Sequence, residues 1–178
     1  MITDAQLNFV PIGGNLAVAG AAVASQVIDL LGQGVGTAPQ NVFGTPAVFG
    51  APDGMGVGGP RPELVISTGA AAWAGGTSVN IALQAAIDTG SGGGYLPGTW
   101  NTIVESGAIA VANLTAQTFL FRCPWLPPFP ANLRPRYLRL LFTPSGTFSP
   151  AGLIGFALVT TVRDDQFNKY GAKNFAVA

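Results

Sequence analysis

The 178-residue sequence predicts an all-β fold: a jelly roll or two-sheet antiparallel β-sandwich with long Gly/Pro-rich loops. Three observations predict it. Apolar residues alternate with their neighbours at period two in several segments, and no segment carries a sustained 3.6-residue stripe. In addition, 25 glycines and 14 prolines punctuate the chain at short intervals. Successive side chains of a strand point to opposite sides, so alternation places one face on a core.

The elements follow in chain order. Residues 1–24 read as an N-terminal arm or first strand. Their most apolar part, Leu16 to Ala24, is far short of the ~20 residues a helix needs to cross a bilayer. Asp4 and the lack of Lys or Arg ahead of it are the reverse of a signal-peptide n-region, so this part is expected to be a strand or an extended arm. Strands are expected at Gln26–Leu31, Glu63–Thr68, Ser78–Asp88, Thr102–Glu105, Ala108–Ala112, Gln117–Arg122, Tyr137–Thr143 and Leu153–Val162. Val79, Ile81, Leu83 and Ala85 define one core face, as do Leu138, Leu140 and Phe142. Ile154, Phe156, Leu158 and Thr160 define another. Turns are expected at Thr89–Gly94, Ser106-Gly107, Thr143–Gly146 and Ser149–Gly152. Residues 32–62 form a long Gly/Pro-rich loop whose Val42-Phe43 and Val48-Phe49 pairs are costly to leave in water. Such a loop folds over its own core or lies on a neighbouring subunit. Residues 164–178 form a C-terminal tail, and the whole of 1–178 reads as one β-sandwich domain.

Composition narrows the function. The 8 basic and 8 acidic side chains cancel, which argues against a nucleic-acid binder. Charged residues are 9% of the chain, where about one quarter is usual, so much of the surface is expected to be covered by copies of itself. With no histidine, the Ser-His-Asp and Cys-His nucleophile systems and His-bearing zinc sites are excluded. Cys123 is alone, so an intrachain disulfide and a cysteine-rich metal cluster are excluded too.

The motifs are weak. Gly54-Met-Gly-Val-Gly-Gly59 fits G-x-G-x-x-G, but Ala51-Pro52-Asp53 and Pro60-Arg61-Pro62 replace the strand and helix that a dinucleotide site needs. Asp29, Asp88, Glu105, Asp164 and Asp165 could supply a carboxylate pair; adjacent Asp164 and Asp165 point apart on a strand, and most of the others sit at strand ends as solvated turn residues. Pro124–Pro130 holds overlapping P-x-x-P spacings and reads as a rigid link between strands. Asn113-Leu114-Thr115 is a glycosylation sequon that matters only in a eukaryotic secretory setting. From Ser106 to Val162 there is no acidic residue, while Arg122, Arg134, Arg136 and Arg139 are present. They form a solvated basic edge or meet carboxylates on a partner, for which arginine's planar fork is suited.

Several segments taken together are similar to the jelly-roll capsid cement (decoration) proteins of tailed bacteriophages. They are Met1–Phe9, Val27–Leu30, Ser78–Gln84, Trp100–Ile109, Arg136–Leu140 and the strand from Ala151 to Gln166. Departures from the family pattern are an enlarged Gly32–Pro62, an enlarged Pro124–Pro135, and an ending, Tyr170–Ala178, without the expected Pro and aromatic finish. The resemblance implies a homotrimer made in the host cytoplasm. It would bind the major capsid protein on the outer surface of the virion at three-fold and quasi-three-fold junctions, with no catalytic residue, cofactor, metal, membrane or direct nucleic-acid contact. Candidate subunit or shell contacts are then Phe9, Phe43, Phe49, Arg134, Arg136, Arg139 and Phe175. The alternative is a carbohydrate-binding, lectin-like jelly-roll module, for which Trp73, Trp100, Trp125 and Tyr95 offer stacking faces. Against it stands the lack of an acidic cluster for calcium.

Overall fold

Strands form where the sequence alternates. The structure, a computed structural model, describes residues 3–29, 62–90, 96–124 and 135–161. The strands are β1 (Thr3–Val10), β2 (Leu16–Val18), β3 (Val23–Ala24), β4 (Ile28–Asp29), β5 (Pro62–Thr68), β6 (Ser78–Ala86), β7 (Asn101–Ala110), β8 (Phe119–Pro124), β9 (Tyr137–Ser145) and β10 (Gly152–Thr161). A 3-10 turn, Val111–Asn113, follows β7. The segment Leu16 to Ala24 thus contributes two short strands.

The strands make two antiparallel sheets. The first runs β1-β10-β5-β8, with β2 also on β10; the second runs β3-β9-β6-β7, with β4 also on β9. First and last strands pair, and the chain passes between sheets in jelly-roll order. Residues of both sheets form one core, in which Val79, Ile81, Leu83 and Ala85 of β6 meet Leu138, Leu140 and Phe142 of β9, Leu64 and Ile66 of β5, and Phe9 of β1. Each large apolar side chain buried there stabilises the fold by about 1.5–3 kcal/mol. Trp73 closes one end of this core, edge-on to Phe148 at 4.9 Å, its Nε1 donating to the Leu153 carbonyl at 3.2 Å.

Two expectations need correction. Ser106-Gly107 does not end a strand. Asn80 faces Ala108 and Ala82 faces Glu105, so Ser106 and Gly107 together lie opposite Ile81 as a β-bulge. The Ile81 amide donates to Ser106 Oγ at 3.0 Å, and Gly107 takes φ +70°, so the bulge replaces one ladder bond with a side-chain bond. The face assigned to β10 also breaks. Its register shifts between Ile154 and Phe156, after which Ala157 and Val159 point into the core. Phe156 turns to the other face, where it meets the exposed ring of Phe119 edge-on at 6.2 Å.

The two ends of the sandwich differ. At one end the links are short: 69–77, 111–118 and 146–151. At the other, Thr161 pairs with Pro62, Glu63 with Pro124, Thr3 with Thr160, and Tyr137 with both Asp29 and Ala86. The chain therefore leaves and re-enters the described fold at this second end for residues 30–61, 91–95, 125–134 and 162–178.

Candidate functional site

The second end is built on one arginine. β9 begins at Tyr137, and Arg136 precedes it, its amide donating to the Ala86 carbonyl at 2.9 Å. The guanidinium donates from Nε to Asp29 Oδ1 and from Nη2 to Asp29 Oδ2, both at 3.0 Å, and from Nη1 to Asp88 Oδ2 at 2.7 Å. The side chain is 6% exposed, while its partners are 17% and 24% exposed. The two parallel bonds to Asp29 match the planar fork to one carboxylate. Hydrogen bonding to Asp29 raises the arginine's pKa, overcoming the burial that would lower it.

Asp88 serves both the arginine and the hairpin that follows. Its Oδ1 accepts from the amides of Gly90 at 2.9 Å and Leu96 at 3.1 Å. Thr89 N–H donates to the Leu96 carbonyl, and Gly98 N–H to that of Ile87, both at 2.9 Å. The Gly90 amide most strongly, then the Leu96 amide and Arg136, hold the Asp88 carboxyl below its ordinary value, against a smaller opposing effect of desolvation. Ile87 and Leu96 stand exposed beside it, at 43% and 63%.

Arg139 lies three residues further on, on the outer face of the second sheet. Its guanidinium carbon sits 4.2 Å from the centroid of the Trp100 ring, and its Nε donates to Gln84 Oε1 at 2.9 Å. Gln84 is itself held by donation from Nε2 to Thr102 Oγ1 at 3.3 Å. Desolvation lowers the pKa of Arg139, in contrast to Arg136.

The expected contacts divide accordingly. Phe9 is not a subunit or shell contact; it is 1% exposed and belongs to the core. Arg136 meets carboxylates as expected of an arginine, but they are this chain's own Asp29 and Asp88, so it is neither a solvated edge nor an outward contact. Arg139 is half-buried. Phe43, Phe49, Arg134 and Phe175 lie outside the described residues. Of the four aromatic faces proposed for sugars, Trp73 is buried in the core and Trp100 is covered on one side by Arg139, while Tyr95 and Trp125 lie outside the described residues. Asp29 and Asp88 are structural partners that the sequence does not mark, since 107 and 48 residues separate them from Arg136.

At the opposite end, Ile109, Ala112, Asn113, Thr115, Thr118, Phe119 and Leu120 line an open groove of about 380 Å³. Thr115 and Thr118 share a hydroxyl–hydroxyl bond of 2.5 Å there. No group of three or more His, Cys, Asp or Glu residues able to hold a metal occurs among the described residues. Nor is any helix among them long and apolar enough to cross a membrane. Compared with family models and with curated proteins, the chain matches none.

Proposed function

We propose that this protein is a capsid decoration protein, a trimeric jelly-roll block that binds the major capsid protein on the outer surface of a phage head at three-fold and quasi-three-fold junctions. One observation carries the reading: the long Gly/Pro-rich segments and both chain ends depart from a single end of the sandwich, where Arg136 ties β4, the end of β6 and the start of β9 together. A firm block with its long segments rooted at one end is suited to touching several shell subunits simultaneously, so that modest contacts combine. Binding only the assembled lattice would stabilise it by mass action against the outward push of packed DNA. A chain only 9% charged is suited to building interfaces depleted of charge. Nothing in this role calls for a cofactor or a catalytic group.

Purified protein added to undecorated heads is expected to raise their disruption temperature. An unchanged temperature at saturating occupancy overturns the reading. Light scattering of the isolated protein is expected to return the trimer mass, and a monomer counts against it.

A second reading, a carbohydrate-binding jelly-roll module, is favoured by the groove at the short-link end, where an exposed aromatic ring adjoins Asn113, Thr115 and Thr118. Selective binding on a glycan array supports it, and silence on the array favours decoration.

A further inference from the structure

We propose that Arg139, with Trp100 and Gln84, forms a docking site for an acidic side chain, Asp or Glu, of a partner protein. The inference concerns the chemistry of the partner and stands whether or not that partner is a shell subunit.

Arg136, just before β9, and Arg139, within it, make the contrast. Arg136 donates to a carboxylate from each of its three nitrogens. Arg139 is also withdrawn from water, yet its bonds go to an amide oxygen and an aromatic face, with no carboxylate in salt-bridge range among the described residues. A partly desolvated cation is ordinarily paired. Glu105, the carboxylate of the adjoining strand β7, stands opposite Ala82 rather than Gln84 and accepts from Asn80 Nδ2 at 2.9 Å.

The group is also held in place. Stacking on the indole fixes the plane of the guanidinium, and the bond to Gln84, braced by Thr102, fixes its Nε edge. The Nη groups remain to donate to a carboxylate in the plane of the fork, with little entropy left to lose. Ala82, Gln84 and Ala86 beside them are buried, at 5%, 8% and 0% exposed, so half-buried Leu141 and exposed Thr102 are the neighbours that a carboxylate would meet. An acidic sugar is the less suitable occupant, because Arg139 already covers one face of the Trp100 ring on which a sugar would stack.

The test is a titration of the full-length, isotope-labelled protein with poly-L-glutamate, read by NMR at the Arg139 Nε–H and the Trp100 indole N–H. The buried Trp73 indole serves as the internal reference. Saturable shifts at Arg139 and Trp100 are expected, weakened by about tenfold or more in Arg139→Gln. Arg139→Lys keeps the charge but loses the fork and the stack, and is expected to bind at intermediate strength; it carries the test if Arg139→Gln does not fold. The proposal is overturned if poly-L-glutamate leaves both signals in place, if the shifts persist unchanged in the variants, or if an oligomer of uronic acid moves them while poly-L-glutamate does not. Loss of decoration with retained glutamate binding would overturn the capsid reading alone.

Discussion

Arg136 and Asp29 meet through two parallel hydrogen bonds of 3.0 Å across 107 residues of chain, and the third guanidinium nitrogen reaches Asp88. The pair is therefore a long-range fastening: it joins β4, the last strand before residue 30, to the start of β9.

Removing the arginine takes the guanidinium's three hydrogen bonds away from the Asp29 and Asp88 carboxylates. Arg136→Leu is expected to lower stability by about 3 kcal/mol. In a chain of this length that is a fall of about 6–12 °C in Tm, measured by thermal or urea unfolding. Arg136→Lys is expected to recover only part of the loss, because an ammonium cannot supply the fork.

Acid should act on the same place. The folded-state pKa of Asp88 lies below its ordinary 3.8, because the Gly90 amide, and after it the Leu96 amide and Arg136, favour the carboxylate. The unfolded chain therefore takes up this proton first as pH falls. The stability it contributes is present above the unfolded value and is lost as pH drops through the lower folded value. Urea midpoints between about pH 2 and 6 are expected to fall at the acid end, and Asp88→Asn to show a shallower fall.

Gly152 is set against Trp73 so closely that a Cβ there would fall inside the indole. Gly152→Ala must displace the ring from Phe148 and from the Leu153 carbonyl. A loss of about 3 kcal/mol, with a weakened near-ultraviolet circular dichroism signal, is expected.

Gly107 has nothing within 4 Å of a would-be Cβ, and its φ is +70°. Gly107→Ala is expected to cost about 1 kcal/mol through the backbone alone, and Gly107→Asn less. Equal losses in the two variants would mean that the bulge is not what requires glycine.

Much of the fold was legible because Val79, Ile81, Leu83 and Ala85 of β6, and Leu138, Leu140 and Phe142 of β9, reach the core at period two, a spacing that only a strand turns to one face. The sequence was misleading where one extra residue entered a ladder. At Ser106-Gly107 the polar-glycine pair imitates a turn, and at Gly155 the face flips within a strand whose residues on both sides are apolar, so periodicity cannot report it. Arg136 and Arg139 were legible as members of one basic group, but their fates were not. Whether a guanidinium meets Asp29, as Arg136 does, or lies on Trp100, as Arg139 does, depends on strand pairing across distant sequence. β2 and β3 are three and two residues long and wholly apolar, so they carry no polar–apolar rhythm, and their pairing with β10 and β9 holds them in place.

The unequal ends of the sandwich have a practical corollary. Ala70, Ala71 and Ala72 stand exposed in the 69–77 link, at the end of the sandwich opposite Arg136. A foreign epitope spliced between them would project from the short-link pole, so the molecule could carry a passenger there without burdening the pole anchored by Arg136.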